Sequence, residues 1–526
     1  MNFLRLSDPL LQVLFEDEDI IAIDKPYGFN AHTNDSKIEH SELIQDGLIE
    51  IFEKQRGKKL HIIHRLDQTT TGVMIFGKSV ESAKKYAEYF FNRQVKKTYW
   101  FITKSESAEK KFCIDQSILH KGRELDAKTD LSQLETQASF ELWEAHPKTG
   151  RNHQIRIHAK VAGIPILGDQ KYSGAVFPFL CLHNHRIEFP NGIVIVSEPP
   201  AYFKNLSWLQ ESVLIKTLFE VDRRQRLFSF SPKASLCFRW RHSSLSSKDT
   251  GWNLDQLGPI AILNWMKERW GEEETAAFQA VSMWIQKPIL VRRSGGQALL
   301  WIDLEKKMDS ESLTWIAEEE KMRFEIRAES GSIYGPSLDQ RLQRNWLFHH
   351  AKGKTVLNLF SSMGGYSLAA ALGGASSVLS VDLGKNALNW TRKNFELNGL
   401  DPQNFQFFCR DSLSFIEQSR NKNLKYDVIT CDAPSFYRRE RGVFKLDAEV
   451  ENLLGGCLYC LNPGGALLFS THMEELFLDD LRKLIEKVQN HLKISQLEIN
   501  SLFPSLDFEL PEEKTLLKSF LIQVGG

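Results

Sequence analysis

The sequence predicts a multidomain chain, α+β with a mixed sheet in its first part and α/β with a doubly wound sheet in its last. Three observations lead there. Leu60-His61-Ile62-Ile63 and Val73-Met74-Ile75-Phe76 are short apolar runs around a polar turn, which reads as strand, turn, strand. Residues 354–372 pass from a buried-strand pattern through Ser361-Ser362-Met363-Gly364-Gly365 into the helix former Leu368-Ala369-Ala370-Ala371-Leu372. At 526 residues the chain is also too long for one core, and about three folding units are expected. The divisions are placed at 1–205, 206–322 and 323–526.

In the first unit the turn His64-Arg65-Leu66-Asp67-Gln68-Thr69-Thr70-Thr71-Gly72 puts one carboxylate, Asp67, at a strand end. Asp and Thr in a turn also bond their own backbone, so this segment alone does not make a site. Two others add to it. Lys97-Thr98-Tyr99 supplies an aromatic ring with a polar tip, and Gly150-Arg151-Asn152-His153-Gln154-Ile155-Arg156-Ile157-His158 concentrates hydrogen-bonding side chains in what reads as an alternating strand.

Together these segments resemble the RluA-type pseudouridine synthases, marked by His-Arg-Leu-Asp followed by Gly, with a later Gly-Arg-x-His-Gln-x-Arg-x-His. The resemblance runs from about Leu14 to about Lys204 and includes Asp24-Lys25-Pro26, Ile166-Leu167-Gly168-Asp169 and Leu182-His183. Thr71 stands where the family often has Ser and keeps the hydroxyl. The resemblance implies a cofactor-free isomerisation in which Asp67 either attacks the sugar or removes a sugar proton. It implies that Arg156 pairs with Asp67, and a cation beside a carboxylate favours its charged form. It also implies that Tyr99 stacks on an extruded uracil, and that Arg65, Arg151 and His153 contact RNA. His153, His158, His183 and His185 lie in segments the resemblance accounts for without metal, so no metal is expected.

In the last unit the glycine turn has ordered company. Ser377-Val378-Leu379-Ser380-Val381 ends in Asp382, placed to accept from ribose hydroxyls; Asp411 follows an apolar run; and Tyr426 to Cys431 leads into Asp432-Ala433-Pro434-Ser435-Phe436. Pro463-Gly464-Gly465 then precedes another strand. This order resembles a class I methyltransferase of Rossmann-like fold using S-adenosylmethionine, and more nearly the large-subunit rRNA methyltransferases of the RlmI and RlmK kind. That nearer likeness rests on Ser337-Leu338-Asp339-Gln340-Arg341, Asn358-Leu359-Phe360-Ser361, Val381-Asp382 and Asn398-Gly399-Leu400, over about Arg323 to the C-terminus.

The resemblance implies that Phe360, Ser361, Gly364, Gly365, Asp382 and Asp411 hold the cofactor. Asp432 then acts at the base, and Phe436 and Arg341 contact RNA. Where the family has Asp-Pro-Pro, this chain has Asp432-Ala433-Pro434, which loosens a rigid turn and keeps the acceptor. Methylation at a pyrimidine carbon needs a cysteine nucleophile, which the relevant branch carries just after Phe-Ser. Here that stretch reads Phe469-Ser470-Thr471-His472, and Cys431 on an apolar strand reads as a small buried hydrophobe. A guanine nitrogen, with its own lone pair, fits better.

Composition is that of an ordinary globular protein, with 42% hydrophobic and 25% charged residues. The absence of a long apolar run and of a signal-peptide pattern at the N-terminus points to the cytoplasm, as do the 7 scattered cysteines. Net charge is -1, and residues 1–205 balance 27 basic against 27 acidic side chains, so RNA binding is expected to depend on local patches. The candidates are Arg223-Arg224-Gln225-Arg226, Arg239-Trp240-Arg241 and Arg438-Arg439-Glu440-Arg441. The region between Phe203 and Arg323 carries no catalytic motif. It is rich in tryptophan and reads as a mixed α/β middle module packed on the methyltransferase.

Overall fold

The computed structural model describes residues 3–4, 11–33, 47–120, 122–227, 237–241, 251–267, 269–293, 298–302, 313–439, 442–502, 504–505, 507–508 and 517–525. They form two compact units: one of residues 9–232 with 268–287, the other of 1–8, 233–267 and 288–526.

The first unit is built on a mixed sheet whose strands run in space Val13–Glu16, Ile20–Lys25, Thr71–Gly77, Leu182–Glu188, Lys96–Thr103, Phe140–Pro147, Lys128–Gln137 and Lys111–Asp115. Both runs beside the polar turn are strands, His61–Ile62 and Thr71–Gly77, and they pair with each other. Thr71–Gly77 and Leu182–Glu188 are parallel neighbours, which makes the sheet mixed. Their approach is closest at Gly72, at φ +108°, where an added Cβ would lie 2.2 Å from the carbonyl oxygen of Asn184. Only glycine fits there.

The stretch read as an alternating strand at 150–158 is instead a helix, Gln154–Val161, entered through His153 in the left-handed region at φ 56°. The buried residues Gln154, Ile155, His158 and Ala159 follow the spacing of one helix face, which nine residues of mixed polarity did not distinguish from alternation. Gln154 locks the entry. Its Oε1 accepts from the Thr149 hydroxyl at 2.6 Å and from Arg151 N–H at 3.0 Å.

In the second unit eight strands form one sheet in the order Phe3–Leu4, Leu497–Leu502, Lys518–Val524, Leu461–Thr471, Tyr426–Asp432, Thr355–Leu359, Ser377–Asp382 and Gln406–Cys409. The last five are parallel. Succession reverses between Thr355–Leu359 and Tyr426–Asp432. In open α/β sheets ligands bind in the crevice beyond the carboxyl ends at such a reversal.

The stretch 206–322 is divided between the units. Helices Ser212–Leu227 and Glu272–Ile285 belong to the first and pack on each other. The strands Cys237–Arg241, Trp252–Leu257, Ile260–Trp265, Ile289–Arg293 and Ala298–Ile302 form a separate sheet in the second. There Leu257, Ile260, Ile262 and Leu290 share a core with Phe324, Val356 and Leu368 of the large-sheet region. Trp240, Trp252 and Trp265 are buried, and the Arg241 guanidinium lies 3.7 Å from the Trp252 ring centroid. These tryptophans build a core.

Two of the three basic patches point inward. Arg223, Arg224 and Arg226 are buried, and Arg226 grips Asp222 through Nε and Nη2, at 2.8 and 2.9 Å, while also bonding Asp24. Arg239 is paired with Asp255, and Arg241 donates to the Trp252 carbonyl. These arginines are buried with carboxylate partners, some on the same helix, as Glu220 and Asp222 are, and some distant in sequence, as Asp24 is. In the third patch Arg438 is exposed and Arg439 pairs with Glu449, whereas Glu440 and Arg441 lie outside the described residues.

Removing one member of a buried ion pair strands the other, so Arg226→Met is expected to destabilise the first unit by about 3–5 kcal/mol. Denaturant unfolding of the variant checks this, and an unchanged midpoint contradicts it.

Candidate active sites

Asp67 sits in the turn before Thr71–Gly77, its carbonyl accepting from Thr70 N–H at 3.0 Å. Helix Gln154–Val161 brings Arg156 to it: Nη1 donates to Asp67 Oδ2 at 3.3 Å. The same guanidinium is clamped from behind by Asp169, which takes Nε at 2.7 Å and Nη2 at 2.8 Å. The Asp169 side chain is 1% exposed and that of Asp67 25%, so one carboxylate is fixed inside and the other faces outward. A two-point hold of this kind sets the plane of the guanidinium.

His153 completes the rim. Its Nε2 is 3.8 Å from Asp67 Oδ2 and its Nδ1 lies 2.8 Å from the Tyr172 hydroxyl. Burial and the nearby Arg156 hold its imidazole below the usual value against the pull of Asp67, so neutral His153 prevails at neutral pH.

Tyr99, on the strand Lys96–Thr103, pairs across the sheet with Ala145 on one side and Asn184 on the other, and Asn184 is in register with Gly72. The ring is half-buried against the core of Phe101, Trp143 and Ala145. Burial, and then the negative charge of Asp67, push its hydroxyl pKa up, so it stays protonated.

Below the turn, Lys25 is fully buried and its Nζ donates to the carbonyls of Pro26, Gln68 and Thr70 at 3.1, 2.9 and 2.8 Å. Only the ammonium form has three protons for three acceptors. Burial draws its pKa down to about 7 against the attraction of Asp67. Sequence reading left Lys25 and Asp169 out of the site, although both lie in the quoted motifs. No periodicity marks a residue that acts by holding another.

His183 has Nδ1 2.9 Å from the Thr71 hydroxyl and Nε2 3.1 Å from the Ser197 carbonyl, and His158 is likewise bonded at both nitrogens. Arg65 is exposed, and Arg151 is half-buried with Nε on the Asp126 carbonyl.

In the second unit the loop after Thr355–Leu359 carries two non-glycine residues in the left-handed region, Phe360 at φ 55° and Ser362 at φ 50°. Such strain persists only where surroundings enforce it. Here Phe360 N–H bonds the Ser412 hydroxyl at 3.0 Å, Ser361 N–H the Val381 carbonyl at 2.9 Å, and Ser362 N–H Asp382 Oδ2 at 2.7 Å. Asp382 Oδ1 takes Gly384 N–H at 2.7 Å, so this carboxylate pins two loops together at the carboxyl edge of the sheet. Gly364, at φ +85°, opens the helix Gly365–Leu372, and an added Cβ would meet the Thr391 side chain at 2.2 Å. Packing of the neighbouring helix already requires that glycine.

Asp411 caps the helix Ser412–Asn421 through Ser414, and its other oxygen accepts from the Tyr437 hydroxyl. Burial opposes its charge, but these bonds outweigh it and hold the carboxyl below the usual range. Across the reversal point, Asp432 accepts from the Ser470 hydroxyl at 3.0 Å. Phe436 is 71% exposed on the short hairpin beyond it.

Two family models match the chain: RNA pseudouridylate synthase over residues 19–160 and S-adenosylmethionine-dependent methyltransferase over residues 288–511. The chain joins a pseudouridine synthase domain to an S-adenosylmethionine-dependent methyltransferase domain. Among curated relatives, the ribosomal RNA large subunit methyltransferase K/L of Shewanella oneidensis is 37% identical over 189 residues, which are 35% of this chain and 26% of that protein. The one from Shewanella frigidimarina is 35% identical over 176 residues, 33% of this chain and 24% of that protein. This chain thus spans about a quarter of the length of those relatives. Among solved structures, SMU.776 complexed with SAH matches with a TM-score of 0.50 at 24% identity, covering 64% of this chain and 86% of that one, a likeness of fold.

The methyltransferase domain fits its cofactor in one specific respect. Ser361 Oγ is buried at the strained loop and has no hydrogen-bond partner among the described residues, a cost that a polar ligand would relieve. Asp382 keeps spare acceptor capacity beyond its two backbone bonds. Asp411 already accepts from Ser414 N–H, the Ser414 hydroxyl and the Tyr437 hydroxyl, so it offers position more than a free carboxylate.

Arg341 departs from expectation. It is buried, donating to the Cys237 carbonyl at 2.8 Å and to Asp507 Oδ1 at 2.9 Å, so it secures the interior and cannot meet RNA. Cys431 is buried beside Cys457, and burial pushes its thiol well up. No cluster of three or more His, Cys, Asp or Glu side chains placed for a metal occurs among the described residues, and no described helix is long and apolar enough to cross a membrane.

One polar pair at the reversal point escaped sequence reading. His472, directly after the strand Leu461–Thr471, has Nε2 2.6 Å from Asp339 Oδ2. Burial opposes its charge, but Asp339 and then Asp432 outweigh it and push the imidazole up to about 9. A group raised from 6.5 to about 9 stabilises the fold fully below pH 6.5 and loses that contribution as pH rises through about 9. NMR titration of the ring is expected to give a midpoint near 9, falling back toward 6.5 in Asp339→Asn. A wild-type midpoint at the ordinary value contradicts the pairing.

Proposed function

We propose that the chain is a bifunctional RNA-modifying enzyme of the cytoplasm. It isomerises a uridine to pseudouridine at Asp67 and transfers a methyl group to a guanine nitrogen of large-subunit rRNA at Asp432. The observation that carries the first activity is the Asp67–Arg156–Asp169 array, with the Tyr99 ring beside it.

In the first site the bond from ribose C1′ to uracil N1 breaks, the ring turns, and C5 bonds to C1′. The proton leaves C5 and N1 gains one, with no net oxidation. Asp67 works at the sugar, as nucleophile or as base, while Arg156 holds it aimed. Protonated Tyr99 stacks on the base and can exchange a proton at its carbon. Arg65, Arg151 and neutral His153 contact the RNA whose extruded nucleotide enters the site.

In the second domain Phe360, Ser361, Gly364, Gly365, Asp382 and Asp411 hold S-adenosylmethionine, which supplies an electrophilic methyl group when bound. Asp432 orients the base so that a ring nitrogen's lone pair faces that methyl group, a task of positioning. Phe436 offers a flat apolar surface to the base.

The two sites are expected to fail separately. Asp67→Asn should lower pseudouridine formation by roughly a thousandfold or more while methyl transfer continues, and Asp432→Asn should do the reverse. Nucleoside analysis of treated rRNA reads both. Pseudouridine formed at the full rate by Asp67→Asn, or methylation at the full rate by Asp432→Asn, refutes the corresponding assignment.

A further inference from the structure

Asp432 and His472 are the polar groups that stand at the carboxyl ends of the two strands on one side of the reversal point. The strands are parallel neighbours, with Asp432 in register with Ser470, so the side chains of Asp432 and His472 leave the sheet at the same edge. Their hydrogen-bonding characters are opposite. Asp432 is an acceptor with Oδ1 on the Ser470 hydroxyl and no hydrogen-bond donor on Oδ2 among the described residues. His472 has Nε2 committed to Asp339, which leaves Nδ1 without a partner among the described residues, and its side chain is 43% exposed. A ring anchored at one nitrogen presents the other in a fixed direction.

Guanine is the base whose pairing edge places a carbonyl acceptor, O6, next to two donors, N1–H and the 2-amino group. Adenine and cytosine carry an amino donor where guanine carries O6. A fixed donor beside a fixed carboxylate therefore complements guanine, leaves like groups facing each other with adenine or cytosine, and with uracil sets the carboxylate against the O2 acceptor that stands where guanine has its 2-amino donor. We propose that His472 and Asp432 form a guanine-reading pair, His472 donating from Nδ1 to O6 and Asp432 accepting from N1–H and the 2-amino group. Asp339 is the positioning residue that aims the imidazole. Its attraction for the ring also keeps His472 a donor at both nitrogens across the neutral range. This rests on the reading of the second domain as a guanine methyltransferase, and it names the residues that select that base.

The test uses the full chain, S-adenosylmethionine and two RNAs that differ at the mapped target nucleotide: guanine, or 6-thioguanine, which keeps N1–H and the 2-amino group and replaces O6 with a weakly accepting sulfur. Wild type is expected to methylate the guanine RNA about tenfold or more faster, as one good base contact allows. His472→Ala should lose most of that preference while its calorimetric Kd for S-adenosylmethionine stays within about twofold of wild type. His472→Gln, which restores a donor, should recover part of the preference and decides the matter if the alanine variant does not fold. A His472→Ala protein that binds the cofactor and keeps the full guanine preference overturns the proposal. Wild type that methylates a different base or no RNA at all overturns the underlying reading instead.

Discussion

The first site depends on one guanidinium shared between two carboxylates. Arg156 gives Nε and Nη2 to buried Asp169 and keeps Nη1 for Asp67, so a group with many rotamers is held in one. An arginine paired with Asp67 alone would be free to swing toward solvent, and the sugar would meet a less defined partner. The fold sets this geometry. Helix Gln154–Val161 delivers Arg156, the turn ahead of Thr71–Gly77 delivers Asp67, and Lys25 ties three carbonyls of that turn and its neighbour Pro26 from beneath. Close approach at Gly72 then brings the strand of Asn184, and with it Tyr99, into register.

The methyltransferase domain uses the same economy with different parts. Asp382 spends both carboxylate oxygens on backbone N–H groups and so fixes two loops, one of them held with Phe360 and Ser362 in the left-handed region. A loop fixed in that way can present an unpaired hydroxyl, Ser361 Oγ, without the side chain turning elsewhere to satisfy it. The parallel sheet places Asp432 and His472 beyond the next two strands, at the carboxyl edge on one side of the point where strand order reverses.

The sequence made the central strands and both domains legible, because buried strands announce themselves by apolar runs and the family motifs are contiguous in the chain. Thr71–Gly77, Thr355–Leu359, Ser377–Asp382 and Tyr426–Asp432 lie where the pattern put them. Misreading came where polarity was mixed or where a partner was distant. Residues 154–161 form a helix because only burial distinguishes its inward face, and Arg226 and Arg341 look like RNA contacts until Asp24 and Asp507, each more than 160 residues away in sequence, are seen to bury them. His472 was invisible for the same reason, since its charge is set by Asp339.

Under the proposed function, isomerisation needs no methyl donor. The most direct measurement is nucleoside chromatography with mass detection of a large-subunit rRNA transcript treated with the purified chain, with and without S-adenosylmethionine. Pseudouridine formed equally in both, with a methylated guanine only when the donor is present, is the predicted result. A transcript whose uridines remain unisomerised under both conditions contradicts the account.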